Sequence, residues 1–241
     1  MIPLPRAPKI TKKDKNCAVF EIEALWPGYG TTIGIALRRV LLSSLEGAAV
    51  TEMKIKGVPH EFTTLPGVLE DVVTIMLNVK QLRFKMIGQE PQRAVLKVKG
   101  EREVVGGDFQ LPSQLELVNK NCHIATLTSK KAELEMEILV EKGVGYRSRD
   151  ERRRKEKLEI GTIPVDAIFS PVKRVAMRVE PMRVGERTDF DKLFLEIETD
   201  GTITPEEAFV QACDILIDHY KMLRESISPK EHEEKEKGEK T

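Results

Sequence analysis

The chain is 241 residues long, enough for one or two domains with a substantial core. Its 39 basic and 39 acidic side chains cancel, which excludes a wholly basic nucleic-acid-binding surface but leaves room for a local patch. Three cysteines (Cys17, Cys122, Cys213) without CxxC spacing argue against a disulfide framework or a zinc knuckle, and the lack of a secretory apolar region or an apolar run of about 18 residues predicts a cytoplasmic chain with no membrane partner.

In chain order, residues 1–16 carry three prolines and five basic side chains and are expected to be loose. Residues 17–25 read as a strand. Gly28 and Gly30 make a turn that feeds a helix over residues 34–45. At 100° per residue, Ile33, Ala36, Leu37, Val40, Leu41 and Ser44 share an arc suited to a core. Ile35, Arg38, Arg39 and Leu42 share another, in which two apolar side chains bracket two guanidiniums. That composition suits docking on another protein; a core helix with two surface arginines is the alternative that spacing alone leaves open. Residues 49–56 end in the alternation of a half-buried strand. Residues 67–79 read as a helix through Val68, Val72, Ile75, Met76 and Val79, and residues 84–86, 93–98, 115–118 and 132–140 as further strands. A mixed α+β region therefore spans 47–173.

From Tyr146 to Leu158 the chain places seven basic against three acidic side chains. Phosphate contact by this loop is conceivable, but Tyr146 is its one aromatic, so it offers no stacking platform for single strands; a solvated loop is the simpler reading. Strand character returns at 174–179 and 192–199. The last helix, 205–224, has the clearest start: Thr204 can cap it, Pro205 suits its first position, and Glu207 completes a capping box. Glu207, Gln211, Asp214, Asp218 and Lys221 keep to one side, and apolar residues cover most of the rest. One sheet needs only about a third of the wheel. The surplus favours an obligate oligomer, four or five such side chains contributing about 1.5–3 kcal/mol each if buried on assembly; burial between layers of the helix's own domain is the alternative. Residues 227–241 are almost without apolar side chains and read as a disordered charged linker or tail.

Catalytic chemistry is not evident. His60, His123, His219 and His232 are scattered, and there is neither a phosphate loop nor a nucleophile elbow. Gly28-Tyr-Gly30 is half of a dinucleotide fingerprint and lacks the third glycine. Asp189 and Asp191 could share a magnesium ion but, beside Arg187 and Lys192, read as structural; His60 reads as a loop contact.

Several segments, taken in order, resemble the α subunit of bacterial DNA-directed RNA polymerase. They are Gly28-Tyr-Gly-Thr-Thr-Ile-Gly through Leu37-Arg-Arg-Val-Leu-Leu-Ser-Ser, Gly57-Val-Pro-His-Glu-Phe-Thr-Thr, Gly67-Val-Leu-Glu-Asp-Val and Leu77-Asn-Val-Lys80. Then follow Gly143-Val-Gly-Tyr, Ile163-Pro-Val-Asp-Ala-Ile-Phe-Ser-Pro-Val-Lys-Arg-Val, Arg187-Thr-Asp-Phe-Asp-Lys-Leu and Thr199-Asp-Gly-Thr-Ile-Thr-Pro-Glu-Glu-Ala. The match runs from about Ala18 to Leu223. It departs at Trp26-Pro27, and at Ile35, which puts an apolar group where the family tends to have an amide.

The resemblance implies an α+β fold: a discontinuous α/β dimerisation domain (1–46 and 174–226) with an inserted, strand-rich α+β domain (47–173). It implies a homodimer on which the large subunits β and β′ assemble for transcription, in a cytoplasmic, nucleoid-associated enzyme. Arg38, Arg39, Leu42, His60, Lys80, Val172 and Arg174 are the expected contacts with β or β′. Leu37, Leu41, Phe209, Ala212, Leu216, Tyr220 and Leu223 are the expected dimer contacts, burying on the order of 2,000 Å² across a two-fold axis. No catalytic residue, metal or cofactor is expected in this chain; magnesium belongs to the family's catalytic subunit. The family's C-terminal DNA-binding domain has no counterpart in the sequence, leaving weak upstream contact with the DNA backbone to the 146–158 loop. The reading outside the family is a stand-alone nucleic-acid-binding module using that loop.

Overall fold

The structure, a computed structural model, describes residues 2–150, 159 and 161–227. Most of the basic 146–158 loop and nearly all of the 227–241 tail lie outside the described residues.

The fold is α+β. Strands β1 (Lys9–Lys12) and β2 (Cys17–Leu25) lead into helix α1 (Tyr29–Ser43), strand β3 (Glu46–Ile55) and helix α2 (Val72–Val79). Then come β4 (Phe84–Met86), β5 (Gln92–Lys99), β6 (Arg102–Val105), β7 (Phe109–Gln110), β8 (Leu115–Leu117), β9 (His123–Leu127) and β10 (Glu133–Val144). The short strands β11 (Tyr146–Arg147), β12 (Thr162–Pro164) and β13 (Ala167–Ile168) precede a long hairpin, β14 (Val172–Val184) and β15 (Arg187–Thr199), and helix α3 (Pro205–Ile227).

The chain's two ends build one antiparallel sheet, in the order β1-β2-β15-β14. Alternation decides its faces. Ala18, Phe20, Leu195 and Ile197 point into a core completed by Leu37, Leu41, Ala208 and Ala212 of the two helices. Phe20 stacks on Phe209 at 4.7 Å. The opposite face is ionic: Lys192 pairs with Glu21 and Glu23, and Arg174 with Glu196 and Glu198. The middle of the chain builds a second sheet around β5, β10 and β3, with a separate core that includes Val72, Ile75 and Val79 of α2.

Several elements differ from the sequence expectation, each for a physical reason. Residues 2–16 are not loose: β1 pairs with β2, and the segment before it is tied to Glu23. Helix α1 starts at Tyr29 because Gly28, at φ +85°, turns the chain sharply just before it. Helix α2 starts only at Val72. Gly67 sits at φ +77°, Val68 bridges Leu127, and the Asp71 carboxylate accepts the Thr74 N–H at 2.7 Å as an N-cap. The capping box of α3 forms as its spacing predicts, with Glu207 accepting the Thr204 N–H at 2.8 Å and Thr204 Oγ1 accepting the Glu207 N–H at 3.2 Å. None of the described helices is long and apolar enough to cross a membrane.

Candidate protein-docking surfaces

Helix α1 lies unusually close to the β14–β15 hairpin because glycines face it. A Cβ on Gly30 would stand 2.8 Å from Val179 Cγ1, and one on Gly34 would stand 2.9 Å from Met177 Cε. The Gly30 N–H donates to Asp191 Oδ2 at 3.0 Å, so a carboxylate of the chain itself already occupies the start of the helix. This removes the basis for a nucleotide at Gly28-Tyr-Gly30. It also separates the two carboxylates considered for magnesium, since Asp189 is bound by Arg187 through two bonds of 3.0 and 2.7 Å. Arg187 further stacks on Trp26, 4.5 Å from the ring, and Trp26 meets Phe190 edge-on.

The close seat fixes which arc of α1 faces water. Leu37 and Leu41 are buried, while Ile35 is 47% and Leu42 38% exposed on the outer arc. Arg38 and Arg39 between them are exposed and have no ion-pair partner among the described residues. At the helix end, Ser43 Oγ donates to the Arg39 carbonyl at 2.7 Å, and a Cβ on Gly145 would stand 3.4 Å from the Ser43 carbonyl. The outer arc thus abuts the chain turn that enters β11.

Beyond that turn, Lys80 belongs to a polar cluster that ends beside His60. Lys80 Nζ lies 3.6 Å from Asp166, which also accepts the Arg149 N–H at 3.0 Å. Arg149 in turn reaches Glu61, next to exposed His60, at 3.6 Å. Burial pushes the Asp166 carboxyl up, but the Arg149 N–H, the Lys80 charge and the Tyr146 hydroxyl together hold it below the usual carboxylate range.

Two of the expected partner contacts are already engaged within the chain. Val172 is buried in the core under α1 and α3 and offers no surface. Arg174 lies on the ionic face of the sheet, away from α1, with its guanidinium bound by Glu196 at 2.5 Å and Glu198 at 3.2 Å. Three of the expected dimer contacts are likewise packed within the chain. Leu37 and Leu41 pack inside the chain's own core because the glycine-lined seat of α1 brings them onto the sheet, and Ala212 enters the same core from α3.

The apolar surface left over follows α3. Phe209, Cys213 and Leu216 line a groove with Ile22, Leu25, Ile33 and Ala36. The same helical face continues through Tyr220 and Leu223 to Ile227. From Ile217 onward every described residue of α3 is exposed, Tyr220 at 63% and Leu223 at 54%. At 1.5 Å per residue this overhang is about 16 Å long. Sequence spacing finds the stripe; only the fold shows that its first half is seated within the chain, while its second half is exposed, with Ile217 and Tyr220 at the groove's edge. The spacing gave no sign of the proline-rich segment before β1, which also lines this groove through Pro5 and Pro8.

Comparison with known proteins follows the same division of the chain. A sequence model of the family described as "RNA polymerase Rpb3/RpoA insert domain" matches residues 53–170, which begin in β3 and end just after β13. The chain is 47% identical over 237 residues to the DNA-directed RNA polymerase subunit alpha of Clostridium kluyveri, covering 94% of this chain and 74% of that protein. It is 48% identical over 214 residues to the protein of the same name from Symbiobacterium thermophilum, covering 89% and 67%. For that of Roseiflexus sp. (strain RS-1) the identity is 46% over 218 residues, covering 90% and 66%.

Proposed function

The chain belongs to the DNA-directed RNA polymerase α-subunit family, and from that premise we propose that it is the enzyme's non-catalytic assembly subunit, a homodimer on which β and β′ assemble. The sheet built from both chain ends, with α1 and α3, is then the dimerisation domain, and the middle of the chain is an insert. The observation that carries this reading is the α3 stripe, seated in the chain's own groove at one end and exposed for about 16 Å at the other. A two-fold axis lets each overhang cover the other copy's groove, so the same patch serves on both sides.

The outer arc of α1 does not line this groove, and it suits the large subunits. Arg38 and Arg39 offer forked donors to carboxylates and carbonyls, with Ile35 and Leu42 as apolar anchors. Lys80 and His60 extend the contact through the Asp166 cluster. Chemistry and its magnesium belong to a catalytic subunit, and this chain supplies geometry to the enzyme. Light scattering on the purified chain tests the dimer: the expected mass is twice 27.3 kDa, and a monomer at micromolar concentration contradicts it.

A further inference from the structure

We infer that residues 2–8 form an anchored arm that closes over α3 of the second copy, with Leu4 as its apolar contact. This rests on the homodimer proposed above. The arm is tied down at one acidic residue. The Arg6 N–H donates to the Glu23 carbonyl at 3.0 Å, Lys9 Nζ to Glu23 Oε1 at 3.0 Å, and the Arg6 guanidinium lies 3.5 Å from Glu23 Oε2. Prolines at 3, 5 and 8 stiffen it and remove amide donors, so beyond the Arg6 bond it adds no regular rungs to the β1–β2 ladder. An isolated exposed leucine needs no explanation. Here, however, Leu4 is 89% exposed on a segment that is already ordered, and Ile2 is 49% exposed beside it.

Position selects the occupant. Pro5 and Pro8 line the same groove as Ile217 and Tyr220, so the arm continues the wall that the second copy's overhang would meet. Arg38 and Arg39 are exposed and do not line that groove, so the arm and the surface assigned to the large subunits use different residues. Because the arm is pinned before association, docking against it costs little further ordering. Two-fold symmetry places two arms in each dimer, so one substitution removes two contacts.

Sedimentation equilibrium on the full chain tests this with Leu4→Asp and, as a conservative control, Leu4→Met. Since Leu4 is almost fully exposed, its replacement leaves the fold unchanged, which circular dichroism checks. Leu4→Asp is expected to raise the dimer dissociation constant at least about tenfold, and Leu4→Met to stay within about twofold of wild type. A dimeric wild type with an equally tight Leu4→Asp dimer overturns the arm alone. A monomeric wild type overturns the dimer and the arm together.

Discussion

Arg83 and Asp200 tie the two sheets of the molecule together: Arg83 Nε lies 3.6 Å from Asp200 Oδ2, and the Asp200 side chain is only 7% exposed. Each partner also orders its own side. Arg83 Nη1 donates to the carbonyls of Lys80 and Leu82 at 3.1 and 3.2 Å, closing the end of α2. Asp200 Oδ1 accepts the N–H and hydroxyl of Thr202 at 2.9 and 2.6 Å, shaping the loop that starts α3. Arg83→Ala strands a buried carboxylate. It should cost about 2–3 kcal/mol in denaturant unfolding, with Arg83→Lys recovering part of the loss.

The two glycines of α1 should respond differently to alanine. A methyl on Gly34 meets two side-chain tips, Met177 Cε at 2.9 Å and buried Leu193 Cδ1 at 3.0 Å, and the gain in helix propensity offsets part of the crowding, so Gly34→Ala should cost less than about 1 kcal/mol. A methyl on Gly30 meets Val179 Cγ1 at 2.8 Å and Asp191 Cβ at 2.9 Å, both close to backbone. Gly30→Ala should cost about 1–2 kcal/mol by overpacking. Thermal unfolding followed by fluorescence of the sole tryptophan, Trp26, beside Phe190 at the α1 start, reads both variants.

The loop at 67–71 should be held in a pH-dependent way. His123 sits between Glu70 and Glu103 at 2.9 and 2.8 Å, and the bond to Glu70, helped by Glu103 and opposed by burial, raises its pKa above the ordinary 6.5. Burial pushes Glu70 up, but the Thr126 N–H at 2.7 Å, His123 and the Thr126 hydroxyl hold it below the ordinary 4.5. The His123 contribution is complete below 6.5 and is lost as pH rises through its raised folded value. The Glu70 contribution is present above 4.5 and is lost as pH falls through its lowered folded value. The stability difference between wild type and His123→Gln, measured by denaturant unfolding, should therefore be larger at about pH 5.5 than at about pH 9. An equal difference at both values contradicts the pairing.

Arg39→Ala should leave stability and dimerisation unchanged, since the side chain is exposed and has no partner among the described residues. It should weaken capture of β by about 2–4 kcal/mol, a hot-spot loss, and Arg39→Lys should recover only part because an ammonium lacks the planar fork. A pull-down in which Arg39→Ala captures β as wild type does removes this residue from the interface.

What was legible in the sequence was local. Period-two alternation marks the end of β3, and the Thr204–Glu207 box marks the start of α3, because those signals lie within a few residues. Long-range partners were hidden. The arm before β1 looks loose until Glu23, seventeen residues from Arg6, is folded against it. Gly30 reads as a breaker because its reason, Asp191, is 161 residues away. The β14–β15 hairpin reads as two short strands because Pro181 and Gly185 interrupt its pattern, although both strands run for 13 residues. Val172, Leu37 and Leu41 were expected at surfaces because hydrophobic periodicity gives the apolar face of an element but not what already covers it.

The most direct test of the account is native mass spectrometry of the chain mixed with β and β′. The account predicts one assembly holding two copies of this chain with one β and one β′, formed only when the chain is present. An assembly of β and β′ with a single copy, or one that forms equally well without it, contradicts the proposed platform.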